Sequence, residues 1–155
     1  MPIPPAGSPA PDFSLRSDGE DTVRLADLRG HPVVLFFYPK DDTPGCTVEA
    51  CAFRDDFQAY EKAGVVVLGV SPDSVESHRK FKAKFNLPFP LLADDGHRVA
   101  EAYGAWGEKK RAGQTYMGIL RTTFLIGSDG VLLSVFENVK TDGHSQEILS
   151  ALPRS

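Results

Sequence analysis

Phe36-Phe37-Tyr38-Pro39-Lys40-Asp41-Asp42-Thr43-Pro44-Gly45-Cys46-Thr47-Val48-Glu49-Ala50-Cys51 holds both cysteines of the chain, and the fold is decided by how this stretch is read. Together with the preceding Val33-Val34-Leu35 it begins as a near-continuous run of β-branched and aromatic residues. A strand covered on both faces reads this way, because neither face turns to water. Pro39 ends the ladder, having no N–H to donate. Lys40 to Gly45 is turn chemistry, and Thr43-Pro44 marks a helix start: a hydroxyl N-cap, then Pro at the first helical position. Cys46 falls in the first turn of that helix. There the positive end of the helix dipole and unpaired backbone N–H groups favour the thiolate, which is the nucleophilic form.

Cys51 follows five residues later. In a regular helix that spacing gives about 7.5 Å of rise and about 140° of rotation, hence Cα atoms roughly 8.5 to 9 Å apart. A disulfide needs less than roughly 7 Å. The pair can bond only if the first turns unwind, which makes it a poor staple and a candidate switch; Gly45, Thr47 and Val48 are weak helix formers that ease the unwinding. Two other readings remain open on the residues alone. Paired helical cysteines can be small buried hydrophobes. A C-x4-C pair can also supply two zinc ligands, but His31, His78, His97 and His144 are scattered, with no close pair to complete a site.

Outward from this stretch the chain reads as alternating strands and helices. Upstream, Met1 to Pro11 is a Pro-rich extended lead-in without the basic and apolar regions of a secretory signal. Asp12–Leu15 and Thr22–Leu25 flank an Asp-Gly turn as a small hairpin, and Ala26–Gly30 is a helical turn. Downstream, Phe53, Phe57 and Tyr60 form one apolar stripe on a helix that closes at Gly64. Val65–Val70 is a second buried strand, Val75–Phe85 a Lys-rich surface helix, and Leu91–Ala93 a short strand, which together predict right-handed βαβ units in a parallel sheet. Arg98–Tyr103 is helical. Gly104–Gly118 reads as a polar loop around Trp106, the only Trp, taken as a partly buried anchor in preference to a substrate contact. Arg121–Ile126 and Val131–Phe136 flank Gly127-Ser128-Asp129-Gly130 as a hairpin, and a last helix runs from about His144 to Leu152.

The 155 residues suit one domain, 1–155, with a full core. A hydrophobic share of 41%, a charged share of 25% and a net charge of −4 describe an ordinary globular chain with no pull toward nucleic acid or acidic membranes. No apolar run approaches the roughly 18 residues of a membrane span. A cytoplasmic location is expected, where thiols stay reduced unless a reaction oxidises them.

Pro39-x-x-x-Thr43-x-x-Cys46, after an apolar strand and opening a helix, resembles the peroxidatic motif of peroxiredoxins. With Cys51 five residues on, it is similar to their bacterioferritin-comigratory-protein or PrxQ branch, and the likeness runs from Asp12-Phe13 to the closing helix. The resemblance implies an α/β thioredoxin-like fold: a central mixed sheet flanked by helices, with the N-terminal hairpin as an extension. It implies a thiol peroxidase in which Cys46 attacks hydrogen peroxide or an organic hydroperoxide and becomes a sulfenic acid. Cys51 then resolves that acid as an intramolecular disulfide, and thioredoxin or a glutaredoxin reduces it. Arg121, on composition alone a solvated rim residue, takes the place of the active-site Arg. Thr43 and the Cys46 N–H are donors to the peroxide, Pro39 shields the pocket, and Glu49 either buffers Arg121 or the leaving oxygen or is a plain first-turn acid. No cofactor or metal is required, and a monomer is expected. The competing readings are a thioredoxin-type disulfide oxidoreductase, disfavoured by C-x4-C in place of C-x-x-C, and a non-enzymatic redox sensor or holdase. Cysteine glutathione peroxidases are set aside for lack of their Gln and Trp-Asn motifs.

Overall fold

The computed structural model describes residues 3–152; Met1 and Pro2 of the lead-in lie outside the described residues. The apolar run forms β3 (Val33–Phe37), fully buried along its length, and the turn leads into α1 (Pro44–Asp55). Before them come β1 (Ser14–Ser17), β2 (Thr22–Arg24) and a 3-10 turn at Leu25–Leu28. After them come α2 (Phe57–Lys62), β4 (Val66–Ser71), α3 (Val75–Phe85), β5 (Leu91–Ala93), α4 (Arg98–Ala102), β6 (Trp106–Arg111), β7 (Gln114–Ile119), β8 (Thr122–Ile126), β9 (Leu132–Phe136) and α5 (His144–Ala151).

Seven strands make one mixed sheet in the order β2-β1-β5-β4-β3-β8-β9. β3, β4 and β5 are parallel, as the βαβ reading required, while β8 runs antiparallel to β3 and the β1–β2 hairpin extends the sheet beyond β5. Because side chains alternate along a strand, β3 feeds two cores. Val33, Leu35 and Phe37 face Tyr103 and Phe124 on one side. Val34 and Phe36 face Phe53, Tyr60 and Phe89 on the other, the side that also takes Cys46. Phe36 stacks on Phe53 of α1 with ring centroids 4.7 Å apart. Its ring also covers Gly69, its partner on β4, where an added Cβ would stand 2.8 Å from Cζ. The lead-in runs beside the outer strand: Gly7 N–H donates to the Leu132 carbonyl and Ala10 N–H to that of Gly130.

Two expectations are corrected. The helix expected to run through to Gly64 breaks at Asp56 (φ −97°, ψ 4°), which closes α1 and opens α2. Asp55 and Asp56 carry negative charge at the C-terminal end of α1, where the dipole disfavours it, and Asp56 is better placed at the start of α2. The break lets Tyr60 donate its hydroxyl to the Ser145 carbonyl at 2.7 Å. The polar loop expected over Gly104–Gly118 is instead a hairpin, β6 paired antiparallel with β7 in register Trp106↔Ile119 to Arg111↔Gln114. Its two-residue turn places Ala112 (φ 52°) and Gly113 (φ 79°) in the left-handed region, the conformation of a tight hairpin turn. The segment shows no alternation of apolar and polar residues because both strands are mostly open to water.

Candidate active site

Thr43 has the extended backbone of an N-cap (φ −102°, ψ 156°) and Pro44 occupies the first turn, as the sequence predicts. The expected hydroxyl cap is absent: Thr43 Oγ1 donates to the Lys40 carbonyl at 2.9 Å, closing the turn before the helix. With no side chain capping α1, the N–H groups of Gly45 and Cys46 have no partner within the helix. They lie at the positive end of the helix dipole, in the same turn as the thiol.

Cys46 is 1% exposed, and its Sγ accepts from Arg121 Nη2 at 3.2 Å. Arg121 directly precedes β8, whose antiparallel pairing with β3 delivers it beside the first turn of α1. Its other nitrogen, Nη1, donates to Glu49 Oε1 at 2.6 Å. The guanidinium passes close over Gly45, where an added Cβ would stand 3.4 Å from Nη2, an ordinary contact. The Glu49 side chain is wholly buried, and its Oε2 has no hydrogen-bond partner. Burial outweighs the attraction of Arg121 and pushes the Glu49 carboxyl up to about 7 from its ordinary 4.5. Pro39 is half-buried at the end of β3. The structure therefore brings Cys46, Glu49 and Arg121 into direct contact, with Pro39 and Thr43 on the loop that leads to them.

Cys51 lies in the same unbroken helix, half-buried, and both cysteines are free thiols. Burial, partly offset by Arg54, raises the Cys51 thiol above its ordinary value, so in the folded helix it rests protonated. Val48, between the two cysteines in sequence, is 48% exposed.

Other groups gather here without any signal in the sequence. Asp41, in the loop after β3, accepts from Tyr38 OH at 2.6 Å and Ser77 Oγ at 2.8 Å, and its Oδ2 lies 2.7 Å from His78 Nδ1. Its own N–H donates to Asp73 Oδ2 at 2.8 Å. The network ties the loop to α3, so His78 is a fully buried anchor on a helix expected to lie on the surface. Asp41, Asp73 and His78 place ligand-type atoms within 4.8 Å of one another, but these atoms are engaged with protein partners. On the far side of Arg121, buried His144 pairs its Nε2 with Thr123 Oγ1 at 2.8 Å, and its ring meets Phe53 edge-on. Trp106 stacks on His97 at 3.6 Å and anchors the base of the β6–β7 hairpin.

Residues 6–135 match the AhpC/TSA family. The peroxiredoxin Bcp of Bacillus subtilis is 51% identical over 146 residues, covering 94% of this chain and 93% of its own. That of Escherichia coli is 47% identical over 147 residues, covering 95% and 94%. Among solved structures, the bacterioferritin comigratory protein of Xanthomonas campestris superposes with a TM-score of 0.89 at 37% identity, covering 95% of this chain and 96% of that one. PrxQ of Xylella fastidiosa gives 0.89 at 35% identity, covering 94% and 93%. A mixed sheet flanked by helices, a buried thiol at a helix start and an Arg held on it agree with this likeness, and the chain belongs to the AhpC/TSA family, among the Bcp/PrxQ peroxiredoxins.

Proposed function

We propose that Cys46 is the peroxidatic thiolate and Cys51 its resolving partner in a thiol peroxidase acting on hydrogen peroxide and alkyl hydroperoxides. The observation that carries this reading is Arg121 bridging Cys46 Sγ and Glu49 at the uncapped start of α1. The Xanthomonas campestris relative is described by its alkyl peroxide reduction activity, which supports the wider substrate class.

Attack of the thiolate on the terminal peroxide oxygen forms an S–O bond and breaks the O–O bond. The distal oxygen leaves as hydroxide or alkoxide and takes a proton to become water or alcohol. Charge develops on both oxygens, and the Cys46 N–H and the Arg121 guanidinium are donors aimed at it. The Thr43 hydroxyl, whose proton is engaged by Lys40, offers lone pairs to the peroxide O–H and so acts as an acceptor. Pro39 contributes an apolar wall that takes no proton. Glu49 positions Arg121 and, with its carboxyl poised at about 7, exchanges a proton with the leaving oxygen at neutral pH.

The Cys46 sulfenic acid then condenses with Cys51 and releases water. Five residues of regular helix hold the two Cα atoms roughly 8.5 to 9 Å apart, so α1 unwinds before the disulfide forms. Unwinding relieves the burial that raises the Cys51 thiol above its ordinary value. An external dithiol of the thioredoxin or glutaredoxin type reduces the exposed disulfide. Because both cysteines sit on one helix, a monomer in the cytoplasm completes the cycle.

One equivalent of hydrogen peroxide, followed by intact mass and a peptide map, tests the assignment. A loss of two hydrogens with Cys46 and Cys51 in one crosslinked pair is the expected result, and a Cys51→Ser variant should stop at a Cys46 sulfenic acid. Free thiols at both positions after exposure would remove Cys46 as the nucleophile.

A further inference from the structure

Asp73 stands in the turn between β4 and α3, and the sheet topology brings it to the loop that precedes the thiol. β3 and β4 are parallel neighbours, so their C-terminal ends lie side by side, and Tyr38 N–H still donates to the Val70 carbonyl at 3.0 Å. Pro39 has no N–H to continue that ladder. Beyond it the Asp41 N–H takes a side-chain acceptor in place of a strand partner, donating to Asp73 Oδ2 at 2.8 Å. The same oxygen accepts from Ser71 Oγ at 2.7 Å, and the Asp73 N–H donates back to that hydroxyl at 3.2 Å, which fixes the carboxylate at the end of β4.

The far side of this bond reaches the peroxide pocket. The Asp41 N–H and the Lys40 carbonyl belong to one planar peptide group and point in opposite directions. On the carbonyl side Thr43 Oγ1 donates at 2.9 Å. Asp73, a single peptide group and the Thr43 hydroxyl therefore form a chain of hydrogen bonds running one way, in which each link polarises the next. A carbonyl oxygen only accepts, so the hydroxyl proton is committed to Lys40 and the lone pairs of Oγ1 are left free. Turned over, the peptide would set its carbonyl against the Asp73 carboxylate and offer its N–H to Thr43, whose proton would then be released. The Asp41 side chain, bonded to Tyr38, Ser77 and His78, holds the residue against such a turn.

We propose that Asp73 is a positioning residue of the thiol peroxidase: through the Lys40–Asp41 peptide it holds the Thr43 hydroxyl as an acceptor for the O–H of the peroxide. The proposal rests on reading Cys46 as the peroxidatic thiol and Thr43 as the group that receives the peroxide O–H. Without the link to Asp73, Thr43 Oγ1 is free to present its proton in place of a lone pair. The substrate then loses one of the contacts that align its O–O bond with the Cys46 sulfur.

The test follows two single-turnover rates in a Cys51→Ser background, where Cys46 is the only thiol: oxidation by hydrogen peroxide, and alkylation by iodoacetamide, which brings no O–H to Thr43. Asp73→Ala slows the peroxide reaction about three- to tenfold, the worth of one hydrogen bond, and leaves alkylation unchanged. Asp73→Asn, whose side-chain oxygen still accepts from the Asp41 N–H, recovers most of the rate. Ser74→Ala removes the cap that Ser74 Oγ gives the Ser77 N–H on α3 without touching the peptide, and leaves both rates as in the parent. In a Thr43→Val background Asp73→Ala costs nothing further, because the hydroxyl it sets is gone. An equal slowing of both reactions, a further loss on top of Thr43→Val, or no loss in Asp73→Ala overturns the proposal and leaves the peroxidase reading in place. A parent that peroxide does not oxidise removes both. Hydrogen exchange on the parent gives a second measurement that needs no Asp73 variant: the Asp41 amide exchanges about tenfold or more slowly than that of exposed Asp42, and equal exchange of the two overturns the proposal as well.

Discussion

Two regions of the chain, α1 and the β6–β7 ribbon, are held in place by different forces. On one side α1 lies on the sheet, with Phe53 fully buried against Phe36, Tyr60 and Phe89, and Glu49 sealed beneath Arg121. By contrast, β6 and β7 form a separate two-stranded ribbon, pinned at its base by the Trp106–His97 stack and by buried Ile119, and mostly open to water beyond them. The nucleophile and its Arg are fixed by a packed interior. The hairpin relies on cross-strand backbone bonds, and a lone two-stranded hairpin is only marginally stable in water. Groups that must keep a geometry therefore come from the first region, while the second is held loosely enough to move.

Phe53→Ala is the most severe test of that contrast. Removing a ring from a fully buried aromatic cluster costs about 3–5 kcal/mol, because the neighbours close the cavity only in part. Urea unfolding should show this loss, together with slower reaction of Cys46 with peroxide as the first turns of α1 loosen. A loss below about 1 kcal/mol would mean that α1 is not anchored through its aromatic face.

Glu49→Gln is expected to act next in size and to show its effect through pH. The folded-state carboxyl is raised from 4.5 to about 7, so folding favours the protonated form. Its stabilising contribution is fully present below about pH 4.5 and is lost as pH rises through about 7, since stability falls with pH where the folded state binds the extra proton. The amide of Gln does not titrate. The stability of the parent relative to Glu49→Gln should therefore fall by about 2–3 kcal/mol between pH 4.5 and 8. A difference that is flat with pH would show Glu49 to be ionised throughout as the fixed partner of Arg121.

The same contrast explains what was legible in the sequence. β3 and the start of α1 could be read because an unbroken apolar run, a Pro stop and a Thr-Pro start are local signals, each tied to one backbone outcome. The place of Arg121 came from the resemblance at its strand, and it lies at hydrogen-bond distance from Cys46. Asp41 and His78, 37 residues apart, left no trace because their bond depends on how α3 folds back over the loop. The β6–β7 hairpin was read as a loop for a different reason. A ribbon wet on both faces needs no apolar alternation, and Lys109-Lys110-Arg111 followed by Ala112-Gly113 carries neither strand propensity nor the Asn-Gly or Asp-Gly turn that usually marks a hairpin.

The smallest expected effect lies on the exposed face of that ribbon, and it tests the softer half of the comparison. Met117 is 56% exposed on β7, so Met117→Ala removes little buried surface and should change global stability by no more than about 0.5 kcal/mol. Native-state hydrogen exchange then separates two ways in which the hairpin could be held. If its amides are protected only by pairing between β6 and β7, those from Glu108 to Met117 open with a free energy well below that of β3 and β8, and Met117→Ala speeds them without affecting the core. If they exchange only on global unfolding, the hairpin is part of the same cooperative unit as α1. In that event its polar faces are stabilised by packing that exposure does not reveal. The mostly exposed strands and the single aromatic anchor at the base favour the first outcome.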